Sequence, residues 1–261
     1  MKTLFIILIS FISFSFTIEH DNVFAKGELI SCQHKLQGVS TDMAGTIKIV
    51  NNSTLRRLPK VVDDLSIALE KAEFGIEDLG ENGLVIYLND MHDRRYDVSA
   101  FVMTNMEDTG YHVKINMFNR QASDKALAAT LIHEIMHCVL LDIYKRAIER
   151  DSKAMAIIKG FDEILNTEFP GPHHNFFYLM NSGEDGQHEL LYHLFYPEMV
   201  SILTRFAKIH RVPFFDYMEP KVLMWSGLQK TGVYEGLPYD ERKDIETAIL
   251  REKGLTVMAG D

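Results

Sequence analysis

Along most of this chain the apolar positions follow one of two rhythms. Between Pro59 and Ala72, Val61, Val62, Leu65, Ile67 and Leu69 recur at helical spacing and predict a helix. Thr46 to Val50 (TIKIV) reads as a short strand, and Leu84 to Leu88 (LVIYL) as a buried one. Val98 to Met103 and Tyr111 to Phe118 follow as two more strands, separated by the turn-forming residues Asp108-Thr109-Gly110. In Tyr111 to Phe118 apolar and polar residues alternate, which predicts a strand with one wet face. Ser123 then stands where a helix needs a cap, and the helix it opens runs to about Arg146. Beyond it the pattern is helical over 151–166, roughly 187–209 and 240–252, interrupted at Gly171-Pro172 and at Asn181 to Gly186 (NSGEDG). Strands first and helices afterwards predict an α+β fold: a small mixed or antiparallel sheet packed on a central helix, with a helical C-terminal half.

The helix after Ser123 departs from the usual amphipathic stripe. Leu131, Ile132, Ile135, Met136, Val139, Leu140 and Leu141 leave it almost no wet face, and a helix apolar all round is buried. Yet His133, Glu134 and His137 stand at its centre, and burying unpartnered polar groups costs on the order of several kcal/mol. Residues four apart on a helix are neighbours, with about 5–6 Å between β-carbons. Two imidazoles so placed can reach one zinc ion at about 2.0–2.1 Å each. Glu134, beside the first of them, is turned away from the ion but within reach of a water on it, the general-base position of the His-Glu-x-x-His pattern. A chance His-x-x-x-His would need a solvent-facing helix, and this one is too apolar for that.

Catalytic zinc takes three protein ligands and keeps a fourth position open. The extended spacing HExxHxxGxxH is absent: Leu140 holds the glycine position, and Tyr144 lies one residue past the place for a third histidine. The third ligand must come from farther on, where Gln187 to His193 (QHELLYH) is the richest stretch. At 100° per residue His188 falls within about 60° of the inward stripe Leu191, Phe195, Met199, Ile202 and Phe206. Glu189 and His193 fall roughly 100° and 140° away from it. His188 is therefore the expected ligand, followed by Glu189 and then by His193 and the pair His173-His174; its bland competitor is an ordinary hydrogen-bonded core histidine. Pro197 is expected to kink or restart this helix.

Composition narrows the partners. The 261 residues are 46% hydrophobic and 25% charged, an ordinary globular balance. A formal net charge of −10 without a basic run argues against nucleic acid. Lys2 followed by the apolar run Leu4 to Phe16 reads as a secretory signal, with Val23-Phe24-Ala25 as a cleavage site and Ser15 as the competing one. That divides the chain into a leader over 1–25 and a single domain over 26–261, with sheet and central helix in 26–147 and a helical part in 148–261. The mature chain would be exported, periplasmic or secreted, without a stable membrane span. Leu29-Ile30-Ser31-Cys32 matches a lipoprotein box by coincidence, lying well beyond the apolar run. Two cysteines, Cys32 and Cys138, allow one disulfide and no framework, and Cys138 in the apolar helix reads as a buried small hydrophobe.

His133-Glu134-Ile135-Met136-His137 in an apolar helix after an antiparallel strand resembles the zincin metallopeptidases, whose edge strand commonly helps hold peptide substrate. More narrowly, TLIHEIMHCVL, QHELLYHLFYPEM and MWSGLQKTGVY (Met224 to Tyr234) resemble bacterial SprT-like metallopeptidases over roughly residues 80–235. The resemblance implies Zn2+ as cofactor, His133, His137 and one distant histidine as ligands, Glu134 as the catalytic base and a peptide or protein substrate. The better-known SprT-type enzymes are intracellular and act near DNA, so the acidic charge and export signal carry over the zinc chemistry alone.

An oxyanion donor is also expected, and Tyr192, His193, His210 and Tyr217 are the candidates. Tyr111 to Phe118 is either a strand that takes up extended substrate by strand addition or an ordinary sheet strand. Trp225-Ser226-Gly227-Leu228 reads as a packed helix end, Phe176-Phe177 and Phe214-Phe215 as core, and Glu184-Asp185 as a solvated turn rather than a calcium site. A non-catalytic zinc- or protein-binding module on the same scaffold is the reading from a different class. A metal-dependent hydrolase of non-peptide substrates is the third.

Overall fold

The computed structural model describes residues 47–70, 83–92, 100–104, 110–117, 121–168, 171, 175–214 and 219–254. The expected leader, Cys32, His173, His174, Phe215 and Tyr217 lie outside them. Among the described residues, four strands and eight helices follow in the order β1 (Ile47–Asn51), α1 (Leu58–Glu70), β2 (Leu84–Met91), β3 (Ala100–Thr104), β4 (Tyr111–Asn116), α2 (Asp124–Ile148), α3 (Ser152–Glu168), α4 (Phe176–Asn181), α5 (Glu184–His210), α6 (Glu219–Met224), α7 (Gly232–Gly236) and α8 (Tyr239–Glu252). The α+β expectation describes this architecture.

The sheet has the order β1-β2-β4-β3. β1 lies parallel to β2, with Ile49 opposite Ile86, and β2 parallel to β4, with Leu88 opposite Val113. Only β3 and β4 run antiparallel, with Val102 opposite Val113. An antiparallel sheet is thus corrected to a largely parallel one. The cause is connectivity: α1 lies between β1 and β2 in the chain, and β3 occupies the far side of β4, so β4 comes back alongside β2 in the same direction. A second correction follows. β4 (Tyr111–Asn116) is paired on both sides, so it is an ordinary sheet strand rather than one with a free edge for strand addition; the antiparallel edge belongs to β3.

Alternation decides which face is covered. Leu84, Ile86 and Leu88 of β2 and Val113 and Ile115 of β4 are buried, while Val85, Tyr87 and His112 are half-buried on the opposite face. α2 packs against β2 and β3 on one side and against α3 and α5 on another, with α1 beside α5. Ser123 caps α2 by accepting a bond from the Ala126 backbone N–H at 3.1 Å. By length and composition α2 could cross a membrane, but most of it is buried within the protein, which accounts for its apolar surface. Pro197 lies inside α5 without ending it, so the expected restart does not occur. The segment read as a break before α5 contains its first turn, because Gly183 (φ +83°) brings the chain into Glu184 and Asp185.

Buried charges fasten the first turn of α2. Lys125 contacts Glu219 of α6 and lies 3.7 Å from Glu252 of α8, all three buried. Asp124 receives His210 Nε2 at 3.0 Å, and His210 Nδ1 reaches Asp64 of α1 at 2.7 Å. Breaking a fully buried pair such as Lys125–Glu219 leaves its partner uncompensated, a loss of about 3–5 kcal/mol. These contacts therefore fix the axial position of α2, and with it the depth at which its histidines stand.

Candidate metal centre

α2 and α5 cross in the core and bring three imidazoles together. His133 and His137, one turn apart on α2, have their ring centroids 4.8 Å apart. Each centroid is 5.1 Å from that of His188, on the second turn of α5. One nitrogen from each ring lies within 4.8 Å of the others, and all three residues are buried. His133 Nε2 and His137 Nε2 face each other at 3.1 Å. His133 Nδ1 and His188 Nδ1 are buried without a hydrogen-bond partner, although buried polar atoms are normally paired. Three neutral imidazole nitrogens are a donor set suited to a divalent transition metal. The cluster could hold a metal ion.

Other contacts shape it. The His137 Nδ1 nitrogen lies 3.2 Å from Gln187 Oε1, at the start of α5. Gly227, in the turn after α6, has φ +94°, and a β-carbon there would lie 2.7 Å from His133 Cε1. The glycine therefore lets the backbone lie directly on the His133 ring. Reading Trp225 to Leu228 as a packed helix end missed this contact, for which a glycine two residues after the lone tryptophan was the only signal. Trp225 itself stacks on Tyr192, with centroids 5.1 Å apart at 19°, and touches Tyr196 and Tyr234.

The remaining expected site residues go elsewhere. Glu189 accepts the Gly232 backbone N–H at the start of α7 and pairs with His193 at 3.6 Å, so neither belongs to the three-histidine cluster. Tyr192 is held in the Trp225 stack. His210 ends α5, in the Asp64–Asp124 clasp, 22 residues beyond His188, or about 33 Å along the helix axis. Phe176 is fully buried, whereas Phe214 lies under Lys125 Nζ at 5.5 Å. Glu184 is an exposed residue 4.0 Å from His188 Nε2. Cys138 is a buried free thiol on α2.

Burial dominates the electrostatics. It holds His133 well below the usual imidazole range, takes His137 down to about 3 and lowers His188 as well, with the other imidazoles adding to the effect on His133 and His137. Burial, with the charge of Glu184 behind it, raises the Glu134 carboxyl to about 8. The three histidines are thus neutral, ready ligands at pH 7. Their lowered values contribute stability that is present above the unfolded value of about 6.5 and lost as pH falls below it. The raised value of Glu134 works oppositely, giving stability below about 4.5 that is lost as pH rises toward about 8. In chelator-treated protein, thermal unfolding is expected to show a steeper fall in Tm from about pH 7 to about pH 5 for Glu134→Gln than for the native sequence. Equal slopes would show that the carboxyl is not held protonated.

No family model, no curated protein sequence and no solved structure matches this chain.

Proposed function

We propose that this chain is an exported zinc-dependent metallopeptidase, with His133, His137 and His188 as zinc ligands and Glu134 as general base. The observation that carries the reading is the buried three-histidine cluster with a buried carboxyl next to it in sequence, on a helix otherwise apolar. Three imidazoles match the ligand count of a catalytic zinc site, and zinc so held supplies Lewis acidity toward a carbonyl and lowers the pKa of water. With the positive charge of a bound ion nearby favouring its ionised form, Glu134 would take a proton from the attacking water and return it to the leaving amine. The leucines and isoleucines around it exclude bulk water, which strengthens these interactions. β3, antiparallel at the edge of the sheet and packed on α2, is the element along which an extended peptide would lie. The motif-level resemblance to zincins points the same way, and the acidic net charge speaks against a nucleic-acid role.

The test is metal content followed by cleavage. The purified chain should carry one zinc ion and cleave a mixed peptide library, and a chelator should stop the cleavage. Zinc without cleavage would instead assign a binding module. His188→Ala is expected to lose most of the metal after desalting, measured by atomic absorption. Unchanged zinc content in that variant would place the third ligand elsewhere.

A further inference from the structure

We infer that Gln187 is a positioning residue for the metal centre: its side-chain oxygen holds the proton of His137 on Nδ1 and so leaves the Nε2 lone pair for the ion. This rests on the metal-centre reading above and adds a residue to it. The Gln187 Oε1 oxygen lies 3.2 Å from His137 Nδ1. An amide oxygen can only accept, so the nitrogen facing it must carry hydrogen. The other ring nitrogen, Nε2, is then unprotonated and faces His133 Nε2 at 3.1 Å, toward the point where the rings converge. His133 Nδ1 and His188 Nδ1 are orphaned in the described structure. His137 therefore has the nitrogen that does not face His133 tied to a side chain.

The backbone that carries the amide is closely packed. Gly186, just before it, is buried with its α-carbon so close to α4 that a β-carbon would fall 2.2 Å from the Leu179 carbonyl oxygen. That contact fixes the rotational phase of the first turn of α5. Gln187 and His188 are consecutive, so one turn presents a ligand candidate of its own and orients a ligand on α2. Groups behind metal-bound histidines that act in this way are worth about 10–100-fold in metal affinity.

The experiment measures the tautomer and the affinity on the full chain. In metal-free protein, long-range 15N–1H correlation should show His137 protonated at Nδ1; a proton on Nε2 overturns the inference, whatever the variants do. Competition of zinc against a chromophoric chelator should then show Gln187→Leu weakened about 10–100-fold, still with one zinc at saturation. Gln187→Glu, which keeps an acceptor at the same reach, should stay within a few-fold of the native chain. Unchanged affinity in Gln187→Leu overturns the role, and so does equal loss in both variants, which would mean a packing contribution only. If Gln187→Leu does not fold by circular dichroism, the native tautomer and Gln187→Glu decide. Failure of the native chain to bind zinc overturns the metal-centre reading instead, and the His137 tautomer is read independently of it.

Discussion

Glutamine in place of Glu134 is expected to cut peptide hydrolysis by about 10²–10⁴-fold, the usual worth of a positioned general base, while the metal stays bound. The substitution keeps the size of the side chain and removes only its capacity to take a proton. Glu134 lies between the two α2 histidines in sequence, but the helix turns its side chain about 100° from that of His133. It therefore stands beside the cluster, and the three nitrogens within 4.8 Å of each other remain in place without it. Steady-state cleavage and atomic absorption on the same sample separate the two effects. Full activity in the variant would remove Glu134 from the mechanism. Loss of zinc along with activity would make it a structural support for the site.

Gly227→Ala carries the second large effect. Two independent forces act on the added methyl group. The backbone stands at φ +94°, where an L side chain is strained by about 1–3 kcal/mol. The new β-carbon would also fall 2.7, 3.0 and 3.1 Å from Cε1, Nε2 and Nδ1 of His133, an overpacking loss of about 1–3 kcal/mol unless the ring moves. Movement relieves the clash only by carrying the ring away from His137 and His188. We expect lower thermal stability together with zinc affinity weakened by at least about 10-fold, equivalent to about 1.4 kcal/mol, because the displaced ring carries one of the ligands. Calorimetry and chelator competition, the latter at a temperature where the variant is folded, measure the two. An alanine variant with native zinc affinity would show that His133 is positioned without help from the turn after α6.

Much of the site was legible because it lies within single helices. The spacing of His133 and His137 places them on one face wherever a helix forms, and the apolar residues between and around them say that this helix is buried. The inward phase of His188 follows from the same 100° arithmetic applied to Leu191, Phe195 and Met199, and Ser123 announces its cap by chemistry alone. Glu189 shows where such arithmetic stops: it is a sound donor on the adjacent position of α5, and only its bond to the Gly232 N–H removes it. The strands tell the same story. Alternation at Leu84, Ile86 and Leu88 predicts one buried face, yet it carries no direction, so the parallel pairing of β2 with β1 and β4 could not be read from it.

The sequence by itself determined the strands and the five longer helices, though not the short helices α4 and α7, and also that the helix at 124–148 must be buried and that its two imidazoles share one face. These follow from local periodicity, which each residue imposes on its near neighbours. Tertiary structure alone decided that α5 crosses that helix at His188, that Gln187 stands behind His137, and that Gly227 lies on the ring of His133. Those contacts join residues 50 or more positions apart, and they are set by the packing of whole elements, to which no short window of sequence is sensitive.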